Sequence, residues 1–344
     1  MEPTKLTRNT EMRNGQMTIT QMRNTQITVF GTVLMDCKGF AHSAYRPDGR
    51  NLGSVRFVHG GVGRNVAENL GRLGVPVSLV TTVNEDGNGR AVTDHLRANG
   101  VNTRHIAAVP EKGMGFWLAV LDENGIPAGS ISDMPDLAAF EKLVGERGER
   151  VIAESGHIVL VLDLNEALTK SILALARRFD KPVYGLPSNF SVIASHPEVL
   201  EGLALFVCNE FEAERLFGSG PLAGMTPEER IARLRSFAQS RSIGRMVVTL
   251  GAAGSVYYEA EPDEAGVQAA CPVEVVDTSG AGDAFFSGTV LALAAGRPLP
   301  EAADAGTRMA AWTIGHPDNC CTALGELAGR DELLMPLLGY FRKG

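Results

Sequence analysis

The sequence predicts an α/β fold: a largely parallel sheet with helices on both faces and a small separate β-sheet beside it. Three observations carry this. Apolar runs of strand length alternate with segments whose apolar residues recur at helical spacing. Several of the helical segments end at a glycine or open on a capping pattern. Two polar, glycine-containing stretches interrupt the alternation and are too long for simple connections.

The elements follow in order from residue 26. Ile27–Leu34 is an apolar run of strand length. Asn65–Leu73 puts Val66, Leu70 and Leu73 on one helical face, and Gly74 stops it. Val75–Val83 reads as a buried strand, and a helix from about Gly89 to Ala98 follows, ended by Gly100. His157–Leu162 reads as a strand, Glu166–Arg178 as a helix, and Pro182–Leu186 and Leu203–Cys208 as strands. Thr226-Pro227-Glu228-Glu229 is a capping box with proline at the first helical position, opening a helix to about Ala238. Met246–Leu250 and Val273–Val276 read as strands, and Gly280–Ala295 as a helix ended by Gly296. The interruptions are Cys37–His59 and Phe116–Ser132, the latter a hairpin about Glu123-Asn124-Gly125. Together they are expected to build the small sheet. Residues 1–25 are polar, with little apolar surface to bury, and a disordered tail is expected there.

Bulk composition closes several function classes. With 344 residues the chain is long enough for one large domain with an appendage. Its formal charge of −8 gives no basic face, so no nucleic-acid partner is expected. No stretch approaches the ~20 apolar residues of a membrane span, and the first residues lack the apolar core of a secretion signal. The cysteines Cys37, Cys208, Cys271, Cys320 and Cys321 form no C-x-x-C pair, and reduced thiols in a cytoplasm are expected.

Two glycine-rich segments carry the chemistry. Gly280-Ala281-Gly282-Asp283 opens a long apolar helix. Glycines at such a turn let backbone N–H groups converge, and the helix N-terminus adds its positive end, which makes an anion hole. A carboxylate beside an anion site makes sense if it accepts a proton from an attacking hydroxyl during phosphoryl transfer, which is the role Asp283 suits. An ordinary first-turn Asp is the plainer alternative. No G-x-x-x-x-G-K-[ST] loop occurs, and Val66 stands where a dinucleotide fingerprint needs its third glycine, so a dehydrogenase is set aside.

Gly60-Gly61-Val62-Gly63-Arg64-Asn65 permits close approach of a ligand to backbone. Asn65 offers donor and acceptor for paired sugar hydroxyls, and Arg64 suits a phosphate or a polar ring. A helix start without a ligand fits equally well. Asp36 follows the first strand, at the end where open α/β sheets bind ligands, unless it is only a turn residue. Asn209-Glu210-Phe211-Glu212 follows a strand and suits hydrated Mg²⁺. Asn209 and Glu212 also have capping-box spacing, and both readings can hold together.

Taken together these segments resemble the ribokinase-like carbohydrate kinase family over residues 26–340. Gly60–Gly74 matches the family's first signature and Asp277–Gly288 its second. The resemblance implies a three-layer sandwich with a mostly parallel central sheet, in one kinase domain over 26–344, with a β-sheet lid from about 37–59 and 113–134. It implies ATP and Mg²⁺, with K⁺ in the many members that bind it. Asp283 would be the catalytic base, and Gly280, Ala281 and Gly282 the anion hole. Asp36, Lys38, Gly61, Gly63, Arg64, Asn65, Asp133, Asp163 and Asn165 would meet the substrate. Asn209, Glu212, Thr249, Gly251 and Gly254 would meet the nucleotide. Glu212 would also serve Mg²⁺, and Asp277 and Ser279 would belong to a potassium loop.

Within the family the likeness runs to pseudouridine kinases, on Asp36-Cys37-Lys38-Gly39, the Val-Gly-Arg-Asn form of the first signature, and Ser132-Asp133-Met134. It implies ATP-dependent phosphorylation of the 5′-hydroxyl of pseudouridine, with the lid and the Arg64 region facing the base. Another nucleoside, ribose, fructose or a keto-sugar acid are alternatives. So is a non-catalytic ligand sensor, against which the intact Asp283 and Gly-Ala-Gly argue. The chain departs from the family at Gly185-Leu186-Pro187, where relatives commonly carry Asp-Pro, and at Cys208, where a proline precedes the Asn. A lid with an exposed apolar face is expected to pair two copies into a homodimer.

Overall fold

The computed structural model describes residues 25–218 and 220–342. Its strands are β1 (Ile27–Phe30), β2 (Leu34–Ala41), β3 (Gly53–Gly60), β4 (Val77–Asn84), β5 (Val101–Asn102), β6 (Ile106–Val109) and β7 (Gly115–Leu121). They continue as β8 (Pro127–Asp133), β9 (His157–Leu162), β10 (Val183–Pro187), β11 (Leu205–Asn209), β12 (Arg245–Thr249), β13 (Ser255–Glu259) and β14 (Glu264–Gln268). The helices that build the layers and the site are α1 (Val62–Arg72), α2 (Gly87–Ala98), α3 (Ala138–Glu154), α4 (Glu166–Arg178), α5 (Phe190–Ser195), α6 (Glu210–Phe217), α7 (Pro227–Ser240), α8 (Ala281–Ala294) and α9 (Leu299–Ile314).

The large sheet runs β14-β13-β12-β11-β10-β9-β1-β4-β5, with β6 beside β4. From β12 across to β5 the pairs are parallel, and β13 and β14 close one edge antiparallel. Alternate residues of β9 explain the layers. Val159 and Val161 enter one buried cluster with α1, α8 and α9. Ile158, Leu160 and Leu162 enter the other with α3, α4 and α7. A strand covered on both faces reads as a continuous apolar run, which is why this element forms over the expected residues. Glu166–Arg178 forms as expected because Leu168, Ile172 and Ala176 recur at helical spacing on its buried face.

The smaller sheet is ordered β3-β2-β7-β8. Its strands come from the two stretches that broke the sequence pattern, but it begins sooner than expected. The run Ile27–Leu34 is not one strand: β1 ends at Phe30, and by Leu34 the chain is already in the lid. Gly31 is the reason for the exit there. Its Cα lies against Gly63 of α1, and a Cβ built on Gly63 would stand 3.0 Å from it. Asp36 therefore sits inside a lid strand, not at the end of a strand of the main sheet.

Val273–Val276 is also not a strand. The sheet edge is already taken by β14, and Val275 and Val276 are exposed, tied to α9 by the Val276 N–H to Ile314 O bond of 2.9 Å. The expected disordered tail falls, apart from buried Thr25, outside the described residues. Among the described helices none is long and apolar enough to cross a membrane.

The close approach of α1 to β1 leaves no room for a side chain. Gly63→Val is expected to lower stability by about 1–3 kcal/mol through overpacking. Urea denaturation checks it: the midpoint should fall while the slope stays constant.

Candidate active site

Two left-handed glycines bring the signatures together. Gly61 (φ 95) precedes α1, and Gly280 (φ 77) precedes α8. A Cβ on Gly61 would stand 2.7 Å from Thr32 O, and one on Gly280 would collide with the carbonyl of Asn319. Only glycine fits either turn. With both helices so aimed, Asn65 Nδ2 donates to Asp283 Oδ2 at 2.6 Å. Burial raises the Asp283 pKa to about 6, against the Asn65 hydrogen bond and the Arg64 charge, which lower it. Glu212 also raises it, which puts that carboxylate within electrostatic reach.

Two further carboxyls surround this pair. Asp36 leans across the lid so that a Cβ on Gly60 would collide with its carboxylate. Burial raises its pKa, while Lys38 and Arg64 lower it. Asp163, just beyond β9, accepts from Thr32 Oγ1 at 2.5 Å on one oxygen. Its other oxygen is buried with no partner among the described residues. Burial pushes this carboxyl up to about 6. An orphaned acceptor at that position is expensive unless a ligand hydroxyl reaches it.

Beyond the turn at Gly280 lies a cavity of about 150 Å³. Thr249, Gly251, Gly254, Ala281 and Gly282 line it, all named from the sequence. Cys271, Phe285, Thr307, Ala310, Ala311 and Ile314 line it too and were not named. The α9 members recur at helical spacing, but small apolar residues on a helix look like ordinary core, so the sequence carried no sign of them. Asn209 caps α6: its Oδ1 accepts from Glu212 N at 2.9 Å, and Glu212 Oε2 accepts from Asn209 N at 2.8 Å. The capping reading is therefore realised, and it leaves one Glu212 oxygen uncommitted. Burial raises the Glu212 pKa. Asp277 Oδ1 accepts from Ser279 N at 2.8 Å, which shapes the turn ahead of Gly280.

Three residues expected at the substrate are placed otherwise. Asn165 is the N-cap of α4, accepting from Leu168 N at 2.9 Å and donating to Glu141 at 2.6 Å, so its amide is spent locally. Asp133 pairs in register with Phe116, on the lid face opposite to Asp36, exposed and 3.5 Å from Lys112 Nζ. Arg64 is buried and points away from the lid's inner face. It donates to Glu68 Oε2 at 2.5 Å, to Asn319 Oδ1 at 3.1 Å and to His59 O. Glu68 also accepts from Arg72 at 2.7 Å and lies 3.0 Å from His95 Nε2. Burial alone would raise the Glu68 pKa; the His95 hydrogen bond and the two guanidiniums hold it down at about 2. Arg64 and Glu68 are four apart, as in a helical ion pair, but nothing in the sequence says that the pair faces inward.

The two departures from the family pattern are absorbed by packing. A Cβ on Gly185 would stand 2.8 Å from Leu203 Cδ1, and Cys208, a residue of β11, is buried in the core.

Fold and site together define the class: a kinase of the ribokinase-like architecture. The chain belongs to the pfkB family of carbohydrate kinases, whose model matches residues 24–322. It is 33% identical over 294 residues to a guanosine-inosine kinase from Exiguobacterium acetylicum, covering 86% of this chain and 96% of that protein. It is 26% identical over 276 residues to a pseudouridine kinase from Escherichia coli (strain K12), covering 80% and 86%. The ribokinase of Arabidopsis thaliana, solved with ribose and ATP, superimposes with a TM-score of 0.74 over 91% of this chain and 98% of that one, at 18% identity.

The buried Arg64–Glu68 pair tests the frame. Glu68→Gln leaves an uncompensated guanidinium and is expected to cost about 3–5 kcal/mol at neutral pH. Because the folded carboxyl titrates at about 2 against an ordinary 4.5, its contribution is present above pH 4.5 and is lost as pH falls towards 2. Denaturation of both proteins from pH 7 to pH 3 should show their difference shrink.

Proposed function

We propose that this kinase transfers the γ-phosphoryl group of ATP to the 5′-hydroxyl of a nucleoside. The observation that carries this is the 2.6 Å Asn65–Asp283 contact at the mouth of the α8 N-terminus. Asp283 acts as the base: a pKa of about 6 leaves it ionised at neutral pH and able to take the hydroxyl proton. As the proton moves to Asp283, the 5′ oxygen bonds to the γ-phosphorus and the bond to the bridging oxygen breaks, releasing ADP. Gly280, Ala281 and Gly282 aim backbone N–H groups and the positive helix end at the charge on the transferred group. Asp36 and the free oxygen of Asp163 accept hydroxyls of the ribose, and Gly61 allows it to approach the backbone, whereas Gly63 is taken up by packing against Gly31.

ATP fills the cavity bounded by Thr249, Gly251 and Gly254. Bound Mg²⁺ would neutralise phosphate charge, and the uncommitted Glu212 oxygen suits it as a water-bridged partner. Asp277 and Ser279 remain the candidates for a potassium loop.

The Val-Gly-Arg-Asn signature makes pseudouridine the first substrate reading. The 33% identity to a guanosine-inosine kinase favours a second, inosine and guanosine. The five unpaired cysteines fit a cytoplasmic location. Val55, Phe57, Leu118 and Ile131 lie exposed on one lid face and support pairing of two copies there.

ADP release against pseudouridine, inosine, guanosine, ribose and fructose tests the assignment. Turnover with a nucleoside above both sugars is expected, and preference for a free sugar would overturn it. Asp283→Asn should lower kcat by about 10²–10⁴-fold while ATP binding, read by calorimetry, persists. In the wild type kcat/KM should fall as pH drops through about 6, because a protonated Asp283 accepts no proton. For the dimer, sedimentation should give twice the monomer mass, and Phe57→Asp should return it to the monomer.

A further inference from the structure

We propose that Trp117 and Lys38 form the nucleobase subsite on the lid and select nucleosides whose base carries a carbonyl oxygen. The proposal rests on the nucleoside reading above and deepens it.

The strand register supplies the geometry. In β2–β7 pairing Asp36 stands opposite Trp117, and in β7–β8 pairing Trp117 stands opposite Ser132. Paired residues project from the same face, so these three side chains form one row. The alternate row, Cys37, Leu118 and Ile131, projects from the other face. Direction follows from the alternate row: Met35, Phe57 and His59 line the cavity around Arg64 and Glu68 on one side of α1. The row of Asp36 and Trp117 projects from the opposite face and is assigned to the side of Asn65 and Asp283. Neighbouring strands lie about 4.8 Å apart, and Lys38 is two residues on from Asp36, about 6.6 Å along the strand. A ribose held by its hydroxyls on Asp36 leaves its base one strand-width away on Trp117, with Lys38 at its edge.

Three features set this row apart from the packed faces of the lid. Trp117 is only partly buried and belongs to neither apolar cluster, whereas its neighbour Phe116 packs against the core. Its indole N–H has no hydrogen-bond partner among the described residues. Lys38, also partly buried, has no ion pair among them. An indole offers a broad flat surface on which any base can stack. An ammonium only donates, so at the edge of the base it matches a carbonyl oxygen and not the amino group of adenine. Uracil-type, hypoxanthine and guanine bases meet that requirement. A free sugar has nothing to lay on Trp117.

The test is kcat/KM for inosine, pseudouridine, adenosine and ribose in the wild type, Trp117→Ala, Trp117→Phe and Lys38→Met. Trp117→Ala should lose about 10- to 100-fold with both carbonyl-bearing nucleosides and little with ribose, and Trp117→Phe should recover most of it. Lys38→Met should level inosine with adenosine. A nucleoside-to-ribose ratio unchanged in Trp117→Ala overturns the stacking role, and an inosine-to-adenosine ratio unchanged in Lys38→Met overturns the selection. A binding readout separates these from failure of the kinase reading. The chain has two tryptophans, Trp117 and Trp312, the latter packed against the core. Inosine should quench emission in Trp312→Phe and not in Trp117→Phe. Quenching that survives in Trp117→Phe overturns the subsite. Correct quenching without turnover upholds the subsite and overturns only the phosphorylation of nucleosides.

Discussion

The guanidinium of Arg64 joins three parts of the chain that are remote in sequence. It holds Glu68 on its own helix, the carbonyl of His59 where the lid strand β3 enters α1, and Asn319 in the loop after α9. The carbonyl of Asn319 in turn presses on Gly280 and permits only glycine there. One buried cation therefore couples the base of the lid to the turn that opens α8. Such a group is tolerable in the interior only because Glu68 compensates it and Arg72 and His95 complete the carboxylate's hydrogen bonds. These charges are engaged with one another and with the backbone, and they fix the shape of the two glycine turns.

On that frame the site divides cleanly between sheet and lid. The main sheet supplies Asp163 at the end of β9 and Asn209 at the end of β11, the carboxyl edge where open parallel sheets gather ligands. Helices α1 and α8 supply Asn65 and Asp283 from their first turns. The lid contributes Asp36 from the middle of a strand, so its position depends on lid register and on Gly60, not on the main sheet. Asp163 and Asp283 thus belong to the main domain and Asp36 to the lid, the two being joined at Gly60–Asn65.

Burial does different work on the carboxyls. Asp163 and Asp283 are both pushed up to about 6 by desolvation, with few compensating donors. Glu68, buried as deeply, stays near 2 because cations surround it. The contrast separates carboxyls left short of partners from one fully engaged in structure.

Sequence alone determined the alternation of strands and helices and the two glycine-rich turns that carry Asn65 and Asp283, because these follow from local periodicity and from turns that only glycine can make; Asp36 and Asp163 entered as substrate residues through the family resemblance. It also determined the residues of the lid hairpin, whose Asn-Gly turn is a local signal. It did not determine where β1 stops, because an apolar run continues through Val33 while the bend at Gly31 is imposed by contact with α1. It did not determine that Arg64 faces inward, that Asn165 caps a helix, or that Asp133 lies on the outer lid face. Each of those depends on which partner a side chain meets across the fold, and partners distant in sequence leave no periodic trace. Tertiary structure decided them, through packing around Gly63, the compensation of a buried charge, and the register that assigns each lid residue to one face or the other.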